Sequence, residues 1–414
     1  MLKTAEPNTI TAGYSAHTVL RMLYERGPSS QIAMARELGI TKAACNQHFQ
    51  RLMEENYIVE AEQKLNPRGR PSQVWQINAA HNILLGLMVE DDQLAVTLTD
   101  FNGELLYCVA TEIHDYSNQT ELLQRLGKLL RAAIAKAKAL NARLLQGFAA
   151  VPGLIDPDGL MVNCANLPAL NGLNLDEWVR EHYHLPLFAD SCGYAYIAGE
   201  CRHSMIGSTV LLINWSKGIG VAIVCNGEAL QWPAVSTKRF RGLWDFGHMR
   251  VEKNGVRCHC GKTGCLEAYL GGQALAEHHP ELGFASGEAL LQGALSGNCQ
   301  AAAVLREAAA KLADYLEWTI ELFGIDTVIF TGTLAAAYEL YRAAFEDRLH
   351  SYYTDEEFAE ITVRSSGSSV NTARLGAALM ARHFYLYPQN LVKSRGMWKK
   401  YPRTYGSDTI LPSP

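Results

Sequence analysis

The fold class expected of this chain is an N-terminal winged helix-turn-helix (α+β) followed by a two-lobed α/β body. Three observations lead there. Residues 17–55 carry three short apolar-periodic stretches, each stopped by glycine or opened by a capping residue. Residues 83–385 hold two successive groups of strand-length apolar runs with hairpin turns, interleaved with long helical periodicity. Within the second group, His248 and the run Cys258-His259-Cys260-Gly261-Lys262-Thr263-Gly264-Cys265-Leu266-Glu267 place three cysteines within eight residues. A length of 414 residues suits two or three domains.

The elements follow in order. His17–Tyr24 has helical spacing and stops at Gly27-Pro28. Ser29 and Ser30 offer an N-cap for a second helix ending at Gly39. Thr41 caps a third over Lys42–Glu55, with Ala44, Phe49, Leu52 and Met53 inward. The short glycine-containing link Leu38-Gly39-Ile40-Thr41 is the helix-turn-helix pattern. Tyr57–Val59 and Val74–Ile77 read as two wing strands around the basic tip Pro67-Arg68-Gly69-Arg70-Pro71. The body opens with strands at Ile83–Val89, Leu94–Thr99 and Glu104–Val109, a helix at Leu122–Leu140 and a strand at Leu145–Val151. A second group contains Thr209–Ile213, Gly220–Val224 and Thr327–Phe330, with helices at Ala301–Phe323 and Thr372–Tyr385.

Composition narrows the function classes. Net charge is −5, so any nucleic-acid site must be local. Residues 1–80 hold nine Lys and Arg against seven Asp and Glu, about +2, leaving about −7 for the rest. No apolar run reaches the length of a membrane span, and residues 1–10 lack the pattern of a signal peptide. Seven of the ten cysteines are isolated, which suits reduced thiols in a cytoplasmic protein.

Two sites are expected from residue chemistry. Lys42, Asn46, Gln47, His48 and Arg51 on the third helix can bond base edges in a major groove of double-stranded DNA. Ser29, Ser30 and Thr41 at the helix starts, and Arg68 and Arg70 in the wing, suit phosphate or minor-groove contact. A small helical protein-binding module is the alternative. One winged helix makes too few contacts for a specific site, so a homodimer or tetramer on a palindromic operator is expected. The second site is a structural zinc held by His248, Cys258, Cys260 and Cys265, a closed Cys₃His set. Scattered core cysteines or a disulfide are the alternatives.

Asp245-Phe246-Gly247-His248 followed by C-x-C-G-x-x-G-C-x-E resembles the signature of the ROK family, which holds repressors, open reading frames and sugar kinases; the resemblance runs from about Leu84 to Arg382. It implies an actin-like ATPase fold, and its repressor branch implies the winged helix in front. The domain plan is then 1–80 for the DNA-binding domain and 81–385 for the body. The lobes divide near residue 200, the zinc loop is 245–267, and residues 386–414 form a basic, aromatic tail. The resemblance also implies a sugar or sugar-phosphate site at Asn166, Asp245, His248 and Glu267. The phosphate-binding turn of the kinases falls at Glu90-Asp91-Asp92-Gln93, which lacks glycine and is expected to be a solvated hairpin tip. The turns Ser216-Lys217-Gly218 and Thr331-Gly332-Thr333 are altered as well. Cys192 stands where the kinases carry their catalytic Asp, with Asp190 at the family's Glu position. A thiol is a poor base for a sugar hydroxyl. The expectation is therefore a regulator with no catalytic residues. An ATP-dependent sugar kinase and a regulator sequestered by a partner protein are the rivals.

Overall fold

The computed structural model describes residues 16–61, 73–90, 93–113, 115, 117–156, 158–164, 167–200, 208–225, 228–229, 243–366 and 370–387. The wing tip with Arg68 and Arg70, residue Asn166, and residues 388–414 lie outside them.

The N-terminal unit is three helices and a two-stranded wing: α1 (Ala16–Arg26), α2 (Gln31–Leu38), α3 (Lys42–Glu54), then β1 (Ile58–Glu60) paired antiparallel with β2 (Trp75–Ile77). Ser30 accepts from the Ala33 amide at the start of α2, and Thr41 accepts from Ala44 at the start of α3. Gly39 closes α2 at φ 65°, a left-handed angle that glycine adopts freely. The inward face of α3 is Cys45, Phe49 and Leu52. Ala44 and Met53, expected inside, are only half-buried. The Cys45 thiol donates to the Gln31 carbonyl at 3.4 Å, so a small polarizable residue takes the position facing α2.

The first lobe follows: β3 (Asn82–Val89), β4 (Gln93–Asp100), β5 (Leu105–Glu112), α4 (Gln119–Ala139), β6 (Arg143–Val151), β7 (Leu154–Ile155), β8 (Met161–Asn163), α5 (Leu175–Tyr183), β9 (Leu187–Ser191) and α6 (Cys192–Glu200). Its sheet has the order β5-β4-β3-β6-β9. β3 is buried along its whole length, which is why it reads as an unbroken apolar run.

The second lobe repeats the plan. It contains β10 (Thr209–Trp215), β11 (Ile219–Cys225), β12 (Glu228–Ala229), α7 (Glu267–Leu270), α8 (Gly272–His278), α9 (Gly287–Leu295), α10 (Cys299–Phe323), β13 (Thr327–Thr331), α11 (Tyr338–His350), α12 (Asp355–Ala359) and β14 (Thr362–Ser365). The sheet order is β12-β11-β10-β13-β14. In both lobes an antiparallel hairpin leads into two parallel crossovers, β3 to β6 to β9 and β10 to β13 to β14.

Two packing results differ from the domain plan read off the sequence. The last helix, α13 (Val370–Leu386), follows the second lobe in the chain but packs on β3, β4 and β6 of the first, and on α6. Gly86 permits this: a Cβ there would collide with the backbone of Ala377 and Ala378. The helix also continues past residue 385, and Leu386 is buried. Secondly, the winged helix is not a separate unit. Val19, Leu20, Phe49 and Leu52 belong to one hydrophobic core with Leu84, Phe148, Ala377 and Phe384. Apolar periodicity marks which face of an element is buried; it does not say which neighbour buries it.

Candidate functional site: a metal-type cluster

The cluster is assembled by a short 3-10 helix, Leu243–His248, and the loop that leads from it to α7. Isolated bridges join Arg250 to Cys265 and Arg257 to Thr263, folding the loop back on itself. Gly261 and Gly264 sit at φ 87° and 73°. A Cβ on Gly264 would also run into the Glu252 carbonyl, so this turn needs glycine twice over.

The loop turns four donors to one point. His248 Nδ1 lies 3.6 Å from Cys258 Sγ, and Cys260 Sγ lies 3.7 Å from Cys265 Sγ. All four ligand atoms fall within 4.8 Å of one another. A tetrahedral ion with bonds of roughly 2.3 Å to sulfur and 2.0 Å to nitrogen spaces its donors about 3.8 Å (S to S) and about 3.5 Å (S to N) apart. The donor set therefore fits a bound metal ion. Burial pushes the Cys258 thiol up to about 12, with neighbouring cysteines adding to it, and raises Cys265 as well. Crowded thiolates of this kind need a cation among them.

His248 faces two ways. Its Nε2 lies 3.8 Å from Glu267 Oε1. Glu267 opens α7, and its Oε2 accepts the Ile219 amide at 2.9 Å. Gly218 leaves the space that this carboxylate fills. His248 thus joins the metal-type cluster to the Glu267 carboxylate. A third group joins them: His259 Nε2 is 3.1 Å from Glu267 Oε1. His259 escaped the sequence reading, although a titratable residue between two cysteine ligands is forced to lie beside the site. Burial, then the nearby Lys217 ammonium, holds its imidazole below the usual histidine range. Asp245 lies in the same 3-10 helix as His248, and its side chain is outside the described residues.

The positions expected to depart from the kinases lie in both lobes. Cys192 begins α6 directly after β9, half-buried and packed against the core shared with the winged helix. Asp190 accepts from the Ser191 amide at 2.8 Å. The turn after β3, expected as a solvated tip, is clamped at both ends. Arg374 of α13 donates to Glu90 Oε2 at 3.1 Å and to Gln93 Oε1 at 2.6 Å, and the Glu90 and Arg374 side chains are only 16% and 11% exposed. An arginine from a distant helix supplies the counter-charge that local sequence lacked; Asp91 and Asp92 lie outside the described residues. The two other altered turns close on each other: the Thr333 amide donates to Ser216 Oγ at 2.9 Å, and Ser216 donates to Asn214.

In the N-terminal unit, Lys42, Asn46 and Gln47 of α3 and its N-cap Thr41 are exposed to solvent. His48 and Arg51 are half-buried, and Arg51 pairs with Glu55 at 3.0 Å. Ser29 donates to the Gly27 carbonyl, so it and the two capping hydroxyls are tied to their own turns.

A ROK family profile matches residues 85–383, and a winged helix-turn-helix DNA-binding profile matches residues 17–59. The chain is similar to the xylose repressor of Bacillus spizizenii, 25% identical over 263 residues, which make up 62% of this chain and 65% of that protein. That match spans just under two thirds of the relative. It is also similar to the DNA-binding transcriptional dual regulator NagC of Escherichia coli, 23% identical over 356 residues, 80% of this chain and 84% of that one. Among solved structures it superposes, at TM-score 0.72 and 24% identity, on a ROK family transcriptional regulator described as a homolog of the E. coli MLC protein, covering 92% of this chain and 98% of that one. The superposition shows the fold: a winged helix in front of a two-lobed body of the sugar-kinase type. With the family profile spanning most of its length, the chain belongs to the ROK family.

Proposed function

We infer that the protein is a DNA-binding transcriptional regulator, a repressor of genes for carbohydrate metabolism or transport, whose body senses a sugar or sugar phosphate. The observation that carries this reading is the exposed face of α3. Lys42, Asn46 and Gln47 stand free of the core on a capped helix, in a unit matching a DNA-binding profile. Side chains of this kind form paired bonds with base edges. The relatives named above, a xylose repressor and a DNA-binding transcriptional dual regulator, support the same reading.

The Cys₃His cluster is assigned zinc, closed at four ligands and structural. Its task is to hold His248 and Glu267 for an effector, with Asn166 and Asp245 completing the site. Three features oppose phosphoryl transfer: Glu90 is paired with Arg374, the Thr333 amide is already taken by Ser216, and a thiol replaces the catalytic base at Cys192.

The working form is a homodimer. The C-terminal half of α10 exposes Tyr315, Trp318 and Leu322 at helical spacing, Trp318 by 71% and Leu322 by 74%. A stripe of this kind suits burial against a second copy. Because the winged helix shares its core with the first lobe, closing the lobes on a ligand moves each DNA reader as part of a rigid unit. That alters the spacing of the two readers, which is how cleft and operator are coupled. Selection of duplexes from a random pool by the purified protein tests the reading. It should recover a two-fold symmetric site; failure to enrich any sequence, or release of ADP from ATP and a hexose, would sink it.

A further inference from the structure

We propose that Arg374 is a positioning residue: it pins α13 to the first lobe and, through that helix, fixes the DNA-reading unit in place. The functional meaning rests on the regulatory reading above; the structural claim does not.

α13 is tied to three parts of the molecule. Its N-terminal side follows β14 of the second lobe, which ends at Ser365. Its first turns are held to the first lobe by Arg374, bonded to both ends of the turn between β3 and β4. Its first half lies tight on α6, since a Cβ at Gly376 would collide with the Ala195 carbonyl and one at Gly199 with the Thr372 carbonyl. Its last turn grips the winged helix. The His17 ring bonds the Tyr385 carbonyl at 2.6 Å, Arg382 lies over the Tyr24 ring, and Tyr387 donates to Glu25 at 2.6 Å. α6 in turn starts at Cys192, and its last residue, Glu200, pairs with Arg364 of β14 across the lobes at 3.6 Å.

A continuous helix of 17 residues transmits a displacement from one end to the other. With Arg374 in place, the N-terminal turns of α13 stay with the first lobe when β14 moves, and the reader moves with that lobe as a block. Without it, the packing of Thr372 on α6 is left to hold those turns against β14, and part of any movement of β14 arrives at the contacts between α13 and α1. The turn that kinases of this family offer to phosphate is thereby reused as an anchor, with the positive charge supplied by the chain itself.

Hydrogen exchange on the full-length protein decides this without DNA or effector, so it is independent of whether an operator is ever found. Arg374→Gln and Glu90→Gln should each speed amide exchange in α1 by roughly tenfold, a shift within the range of local openings. α10 in the second lobe should be unchanged. The exchanged pair Glu90→Arg with Arg374→Glu should restore α1 to near the parent rate. Unchanged α1 in both single variants, an equal rise in α10, or failure of the exchanged pair to restore α1 would each overturn the proposal.

Discussion

Replacing Asn82 with Ala tests whether the winged helix and the first lobe are one folding unit. Asn82 is fully buried where they meet. Its amide donates to the carbonyls of Asn56 and Asn78, each at 2.9 Å, and its carbonyl accepts from Arg143 at 2.7 Å. Arg143 also donates to the Glu55 carbonyl at 3.0 Å and lies 4.0 Å above the Tyr57 ring. Asn82→Ala therefore strands the Asn56 carbonyl and one guanidinium N–H, while the Asn78 carbonyl keeps the Asn82 backbone amide at 3.1 Å. Each buried polar group stranded in this way costs about 1–3 kcal/mol. Water entering the vacated space relieves part of that, so the expected loss is about 3 kcal/mol. Urea unfolding, followed by far-UV circular dichroism and by intrinsic fluorescence, measures it. The transition that includes the first lobe should move to lower urea in both signals, with its slope unchanged. A loss under about 0.5 kcal/mol, the range of ordinary surface substitutions, would refute the shared-core reasoning. So would an early transition of the winged helix alone.

Other predictions follow from the same geometry. Metal analysis should find about one zinc per chain, and Cys260→Ala should lose it and melt well below the parent, because the remaining donors cannot close a four-ligand site. Trp318→Glu should convert a dimer to a monomer in sedimentation velocity with the melting temperature retained; a persistent dimer would place the interface elsewhere. Burial holds His17 below its usual pKa, with the Tyr385 carbonyl opposing the shift and Arg21 adding to it. The folded state therefore binds this proton less readily than the unfolded chain. Stability from this group is complete above about pH 6.5 and declines as pH falls toward and through the lowered folded value. His17→Gln should flatten that decline in urea midpoints measured between about pH 7.5 and 5.5, roughly one unit either side of the ordinary histidine value.

Signals confined to a few neighbouring residues were legible in the sequence. Ser30, Gly39 and Thr41 mark the helix boundaries because capping is a contact over three residues. The cysteine spacing with Gly261 and Gly264 announces a metal loop because the donors and the turn lie in one short segment. What was not legible is set by partners far away in the chain. Glu90 and Arg374 are 284 positions apart, so a carboxylate that reads as solvated is in fact clamped. The return of α13 to the first sheet, and the fusion of the winged helix with that lobe, depend on which apolar faces meet. Cys45 looked like one more isolated thiol until α2 and α3 were packed together. His259 was hidden by the stronger signal of its cysteine neighbours, although the fold of that loop leaves it against Glu267.

The central claim is that α3 reads DNA sequence. Its most direct test is the ratio of affinities for a selected duplex and an unrelated duplex, measured at fixed salt for the parent protein and for the double variant Asn46→Ala with Gln47→Ala. Each paired amide contact is worth about 1–3 kcal/mol of discrimination. The ratio should therefore fall by tenfold or more, while binding to the unrelated duplex, governed by phosphate contacts, stays nearly the same. A variant that keeps the parent's ratio, or a parent with no preference between the two duplexes, would contradict the account.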